Sequence, residues 1–191
     1  MPAPFLVTAA SVAPQPWKNG GGVSRDLLSW PTDAAWRVRV GLAEIDTDGP
    51  FSDYSGVERW FTIAAGAGVE LSIDGTPHRV AAGAEPLRFD GGAVTTCRRL
   101  GGHTTALNLL LLGTTGSMRR LTAGSEWRPR STSCGLLSAD PGTCRFADDA
   151  VAMARHALLW FGEAPSGLSF SADAWAIEVG EAMSRTTDET R

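Results

Sequence analysis

Residues 16–26 (PWKNGGGVSRD) gather several groups that could bind a ligand. Lys18 offers a point charge, Asn19 a paired donor and acceptor, and Arg25 a planar fork of donors. The three glycines between them permit backbone angles and close approaches that a Cβ forbids. Asn-Gly and Gly-Gly are also strong turn formers, so a plain turn is the alternative interpretation of this stretch.

This glycine-rich stretch differs from the known phosphate-binding loops. It lacks the final Gly-Lys-Ser/Thr of a Walker motif, and it lacks the G-x-G-x-x-G pattern that begins a dinucleotide-binding helix. A nucleotide site is therefore not predicted here.

Metal and nucleophilic chemistry both lack their usual signatures. The histidines, His78, His103 and His156, are scattered, whereas metal sites usually contain a closely spaced pair of ligands. The chain contains no G-x-S-x-G nucleophile motif. We therefore predict no metal, no cofactor and no catalytic residue.

The remaining polar candidates are cations and amides suited to a small anion. Arginine forks match carboxylates two oxygens at a time, and charge-assisted hydrogen bonds are the strong ones. Trp17 and Phe51 could supply the apolar wall of such a pocket. The candidate polar groups are Lys18, Asn19, Arg25, Arg37, Arg59 and Asn108.

Asn108 is informative because it interrupts a run of leucines. A buried amide without a partner costs about 1–3 kcal/mol, so Asn108 is expected to have one. The sequence leaves open whether that partner is the backbone or a ligand.

Composition limits the classes of partner. The 191 residues are 43% hydrophobic and 20% charged, which is typical of a globular protein. A net charge of −4 argues against a surface for nucleic acid or anionic membrane. We see no signal peptide, the apolar runs are too short to span a membrane, and three cysteines without C-x-x-C spacing suggest reduced thiols. These features predict a cytoplasmic protein.

The elements that must position these residues are predicted to be short strands. Turn signals occur every eight to twelve residues, which is typical of a β-sandwich or barrel. Residues 35–45 alternate most clearly, with Trp36, Val38 and Val40 on one face and Arg37 and Arg39 on the other. The predicted strands are 5–12, 23–30, 35–45, 57–64, 68–73, 76–80, 87–89, 93–99, 104–112, 168–170 and 175–179.

Five fragments, in this order and at these spacings, resemble the HutD/Ves family, a branch of the cupin superfamily. They are residues 17–22, 25–27, 36–37, 48–52 and 56–59. The resemblance implies an all-β bicupin fold, with two β-barrel halves in one chain. It places a first half at 1–112, a second at 113–180 and a flexible tail at 181–191. Because the fold is all-β, residues 147–161, which could form a helix by composition, are expected to form two strands.

The same resemblance implies a role and a site. Proteins of this family are encoded with the histidine-degradation pathway and are thought to sense an intermediate, such as formylglutamate or urocanate. Its motifs match Trp17, Lys18, Asn19, Arg25, Arg37, Asp48, Phe51 and Arg59, and more weakly Asn108. The chain departs from the family pattern at Ala106, at Leu112 and at the pair Tyr54-Ser55.

Two functions are compatible with these residues. The first is a regulator that binds a small anionic metabolite, and a homodimer is left open. The second is a metal-independent isomerase or lyase, which would need a general base inside the barrel. The candidate bases near the motif are Asp26, Asp48, Glu58 and His103. A purely structural module would not explain the cations around the glycine turn.

Overall fold

A computed structural model describes residues 4–17 and 20–180. Within them the chain forms strands throughout, apart from a single-turn 3₁₀ helix at Ala9–Ser11. The strands up to residue 112 are β1 (Phe5–Thr8), β2 (Gln15–Pro16), β3 (Gly22–Trp30), β4 (Val38–Ile45), β5 (Gly49–Pro50), β6 (Val57–Gly66), β7 (Val69–Ile73), β8 (Thr76–Val80), β9 (Leu87–Asp90), β10 (Thr95–Arg99) and β11 (Thr104–Leu112). Those that follow are β12 (Gly116–Leu121), β13 (Glu126–Trp127), β14 (Ser133–Ser138), β15 (Gly142–Phe146), β16 (Asp149–Met153), β17 (Ala157–Phe161), β18 (Leu168–Phe170) and β19 (Ala174–Val179).

Each half of the chain contains a large and a small sheet. The first half has a six-stranded sheet, β2-β3-β4-β11-β6-β9, and a four-stranded sheet, β5-β10-β7-β8. The second half has a five-stranded sheet, β1-β17-β14-β19-β12, and a four-stranded sheet, β13-β18-β15-β16. β1 therefore joins the second half although it comes first in sequence, and the expected division at residue 112 coincides with the end of β11.

Three apolar clusters separate these sheets. One lies between the two sheets of the first half and includes Ile45, Phe61 and Leu71. A second fills the second half around Trp127 and Phe161. The third joins the two large sheets to each other; it includes Val40, Leu107, Leu109, Leu158 and Ile177. The six-stranded sheet is thus packed on both faces, and only its inner face borders the first barrel.

The all-β prediction is confirmed, including the two strands β16 and β17 within residues 147–161. The prediction of one strand over residues 5–12 is wrong beyond Thr8, because the chain turns into the 3₁₀ helix there. β12, β14 and β15 were not predicted, nor were the two-residue strands β2, β5 and β13. Among the described residues no helix is long and apolar enough to cross a membrane. The expected tail at 181–191 lies outside the described residues.

Candidate functional site

A cavity of about 600 Å³ lies in the first half, against the inner face of the six-stranded sheet. Its lining comes from β2, β3, β4, β5, β6 and β11 and from the loop that follows β5. A volume of this size suits a small metabolite. The opposite face of the same sheet packs against the second half, so the alternation of side chains along each strand decides which residues reach the cavity.

One cross-strand row forms the floor of the cavity. Asp26 of β3 pairs with Gly41 of β4, Gly41 pairs with Asn108 of β11, and Asn108 pairs with Phe61 of β6. Paired residues of neighbouring strands point to the same face, so the carboxylate, the amide and the ring share this surface. A Cβ at Gly41 would lie 2.9 Å from Oδ1 of Asp26, so the absence of a side chain at Gly41 leaves room for the Asp26 carboxylate.

Arg59 is the dominant cation of this cavity. Its side chain is only 8% exposed, and its guanidinium donates from Nε (3.0 Å) and Nη2 (2.6 Å) to Oδ1 of Asn108. Its Cζ lies 4.3 Å from the ring centroid of Phe51, with Phe61 and Phe89 at 5.7 and 5.6 Å. Among the described residues no carboxylate lies within ion-pair distance of it.

Burial of this uncompensated cation has an electrostatic consequence. Desolvation lowers the pKa of Arg59 to about 10, and Tyr54 and Cys97 oppose the shift. The group is still protonated at neutral pH. An anion entering the cavity would therefore meet a poorly hydrated positive charge, where electrostatic attraction is stronger than in water.

Asn108 extends the donor surface of Arg59. Because its Oδ1 accepts both hydrogen bonds from Arg59, its other terminal atom is the Nδ2 amide, which can only donate. That amide has no hydrogen-bond acceptor among the described residues, and Asn108 lines the cavity. The sequence left open whether Asn108 has a backbone or a ligand partner; in the structure a side chain, Arg59, holds its oxygen.

Asp26 and Arg39 form the other polar end of the cavity. Arg39 Nε lies 3.5 Å from Asp26 Oδ2, which is an ion pair without a hydrogen bond, and Nε is buried with no hydrogen-bond partner among the described residues. The Arg39 guanidinium also lies over the Trp36 ring, at 4.6 Å from its centroid. Burial raises the pKa of Asp26; Arg39 opposes this shift and Asp33 adds to it.

In the glycine-rich stretch the described residues Trp17, Gly20 and Gly21 lie between β2 and β3, and the amide of Gly20 donates to the carbonyl of Trp17. The amide of Trp17 donates to the carbonyl of Gly22, and Trp17 lines the cavity. A Cβ at Gly22 would lie 2.1 Å from the carbonyl oxygen of Glu44, so β3 can approach β4 here only with a glycine. The turn interpretation and a position beside the cavity therefore both hold.

The predicted site residues divide into three groups. Trp17, Phe51, Arg59 and Asn108 come together at the cavity. Lys18 and Asn19 lie outside the described residues. Arg25, Arg37 and Asp48 are placed elsewhere, and their contacts explain them without a ligand.

These last three residues contact protein groups away from the cavity. Arg25 is paired with Leu42 across the strands, on the face turned away from the cavity, and it forms an ion pair with Glu44. Arg37 Nη2 donates to the carbonyl of Gly113 at 2.6 Å. Asp48 Oδ1 accepts from the backbone amide of Arg99 at 2.9 Å. This placement gives no support to ligand contacts by these three.

The cavity residues missing from the predicted ligand set include Asp26, Arg39 and Tyr54. Asp26 had been considered only as a general base. Arg39 could have been found from the alternation of β4, which places it on the same face as Gly41. Tyr54 had a signal too, because it is one of the positions where the chain departs from the family pattern.

The other candidate bases do not line the cavity. Glu58 accepts from Trp60 Nε1 at 2.9 Å and pairs with Arg88, and His103 faces Asp46 at 3.6 Å. Within the described residues no three His, Cys, Asp or Glu side chains are grouped as metal ligands. Asp26 is thus the carboxylate that the fold brings to this cavity.

Comparison with known proteins agrees with this fold. A chain of Pseudomonas putida, named only as an uncharacterized 21.2 kDa protein in the hutC 3′ region, is 33% identical over 109 residues. That match covers 55% of this chain and 56% of that relative, so this chain spans little more than half of it.

Two solved structures are similar to this architecture. HutD from Pseudomonas fluorescens SBW25 superposes with a TM-score of 0.83 at 21% identity, covering 93% of this chain and 98% of that one. A cupin 2 conserved barrel domain protein from Leptotrichia buccalis gives 0.58 at 9% identity, covering 92% and 96%. At these identities the likeness shows a cupin-type fold alone. The model of the HutD family matches residues 9–176 of this sequence, and the chain therefore belongs to the HutD family.

Proposed function

We propose that this protein binds a small carboxylate metabolite in the cavity of its first half and acts as a regulator of histidine utilisation. The observation that carries the binding is Arg59, a desolvated cation with no carboxylate within ion-pair distance among the described residues. Membership of the HutD family and the relative named for the hutC region support the pathway.

The donors suit a carboxylate better than a neutral ligand. Arg59 retains donors beyond the two that Asn108 accepts, and Asn108 Nδ2 adds another from the neighbouring strand. Charge-assisted hydrogen bonds of this kind are worth about 1.5–3 kcal/mol. Phe51 and Phe61 wall the guanidinium, which limits access of water and strengthens the attraction.

A thermal-shift screen identifies the ligand. The compounds are histidine, urocanate, formiminoglutamate, formylglutamate and glutamate. A ligand present at one hundred times its Kd should raise the free energy of unfolding by about 2.7 kcal/mol. Stabilisation by none of these carboxylates would count against the proposal.

Arg59→Ala tests the residue. We expect affinity for the best ligand to fall by roughly one to two orders of magnitude while the fold survives, measured by calorimetry and circular dichroism. Arg98→Ala is the matched control, because Arg98 forms an exposed ion pair with Glu70, on β10 and β7. Unchanged affinity in Arg59→Ala would contradict the proposal.

Lys18 is tested in the same way. Lys18→Ala should weaken binding, and Lys18→Arg should restore it only in part, because a planar fork does not replace a point charge. If Lys18→Ala binds the ligand with full affinity, Lys18 does not contribute to the site.

A metal-independent isomerase or lyase is the second candidate, and one observation favours it. Asp26 lies in the cavity with a raised pKa, as a general base in a desolvated site often does. Incubation of the wild-type protein with its best ligand, followed by NMR, separates the two functions. A new product at catalytic amounts would establish an enzyme, and an unchanged ligand favours the regulator.

A further inference from the structure

The cavity has two chemically different ends. At one end Arg59 and Asn108 present donors. At the other end the Asp26 carboxylate accepts no hydrogen bond from the described residues, although Arg39 lies 3.5 Å away. A ligand that contacted only Arg59 and Asn108 would leave the Asp26 carboxylate without a hydrogen-bond donor inside the barrel.

The charges of the cavity indicate the net charge of its occupant. Asp26 and Arg39 balance one another as an ion pair, and Arg59 contributes one further positive charge. Among the described lining residues no other side chain carries a full charge. Charge complementarity with this net positive lining therefore favours an anionic ligand.

The row on the sheet sets the spacing. Asp26 and Asn108 stand two strands apart, with Gly41 between them, which places their Cα atoms about 10 Å apart at about 4.8 Å per strand. The Asp26 carboxylate leans over Gly41, since its Oδ1 lies 2.9 Å from where a Cβ at Gly41 would stand, so only a short linker is needed between the acceptor and the donors.

From these three features we infer that the ligand is an anion with a carboxylate at one end and an N–H donor at the other. The carboxylate contacts Arg59 and Asn108 Nδ2, the N–H group donates to the Asp26 carboxylate, and a short linker joins the two groups. This inference rests on the proposed carboxylate-binding function and assigns to Asp26 the selection of the second group.

Two probes of the same length separate the claim about the N–H group from the claim about the carboxylate. Succinamate has a carboxylate and a primary amide joined by two methylenes, and levulinate replaces the amide NH₂ with a methyl group. NMR titration of the wild-type protein should give about ten-fold tighter binding of succinamate, the size expected for one hydrogen bond to a charged acceptor. Equal affinities, or tighter binding of levulinate, would overturn the inference and leave the carboxylate pocket standing.

Asp26→Asn tests the assigned residue at constant shape. The neutral amide keeps one acceptor but adds a donor, so the preference for succinamate should fall to about two-fold or less. Asp74→Asn is the control, because Asp74 occupies a left-handed hairpin turn that asparagine also adopts. If Asp26→Asn still prefers succinamate over levulinate, the inference is overturned. If the wild-type protein binds neither probe, the proposed function fails as well as the inference.

A measurement on the wild-type protein covers the case in which Asp26→Asn does not fold. The ¹³C chemical shift of the Asp26 carboxyl group should move on titration with succinamate and remain in place with levulinate. Movement with both probes, or with neither, contradicts an N–H contact at Asp26.

Discussion

The guanidinium of Arg59 donates two hydrogen bonds to a single atom, Oδ1 of Asn108, from the adjacent strand. An amide oxygen satisfies part of the guanidinium but does not neutralise its charge. The folded protein therefore holds a buried cation that an anionic ligand would compensate. Such a site binds anions well because the unbound protein carries the cost of desolvation.

Removing this pair should stabilise the unliganded protein. The pKa of Arg59 is lowered in the folded state, so the fold disfavours its charge at neutral pH. We expect Arg59→Met with Asn108→Leu to raise the free energy of unfolding by about 1–3 kcal/mol in urea denaturation. The single variant Arg59→Met should gain less stability than the double variant, because Asn108 then loses its hydrogen-bond partner. A double variant that is less stable than the wild type would contradict this account.

Gly22 is expected to be intolerant of any side chain. Gly22→Ala places a Cβ 2.1 Å from the Glu44 carbonyl oxygen and 3.2 Å from the Trp17 ring. Forced backbone displacement of this kind costs about 1–3 kcal/mol, which thermal unfolding would detect. Gly102→Ala is the control, since nothing lies within 4 Å of its added Cβ and its effect should be within about 0.5 kcal/mol. Equal melting temperatures for the two variants would exclude this packing constraint.

His156 should make the fold sensitive to acid. It lies between β16 and β17 with its Nε2 buried and without a partner among the described residues. Burial lowers its pKa, Arg155 lowers it further, and Ala64 and Asp140 oppose the shift. Since the folded pKa is depressed, the stability it contributes is complete above pH 6.5 and is lost as pH falls from there through the folded pKa.

Substitution of His156 isolates this contribution. Asparagine suits the left-handed backbone at this position, where φ is 57°. As pH falls from 7, the free energy of unfolding of His156→Asn should decrease less than that of the wild type. Urea denaturation midpoints measured across pH test this. Parallel pH curves for the two proteins would assign the acid sensitivity to other groups.

The three cysteines should be unreactive in the folded protein. Cys97, Cys134 and Cys144 are buried free thiols, and desolvation raises the pKa of each, to about 11, 12 and 11. A thiolate is the reactive form, so labelling by a thiol reagent should be slow until the chain unfolds. Denatured protein without reductant should then label at three sites; one site only would mean a disulfide had formed.

The alternation along β4, the turn residues and the glycine breaks were sufficient to predict an all-β chain. They also identified most strands of the first half, because apolar and polar residues there alternate with a period of two. Among the strands that were missed, β14 has a physical reason. β14 is buried almost throughout, so its sequence lacks the alternation that marks a half-buried strand.

The sequence also indicated Arg59, Asn108, Trp17 and Phe51, since their types are suited to an anion pocket. It assigned Arg25 to the ligand set and left out Asp26, although the two are neighbours on β3 and must point to opposite faces. Because both faces of that sheet are packed, sequence pattern does not reveal which face borders the cavity. Only the pairing of β3, β4, β11 and β6 places Asp26, Gly41 and Asn108 in one row and turns Arg25 toward Glu44. The sequence shows which side chains are available for a site. Which of them come together depends on strand register, and long-range contacts set that register.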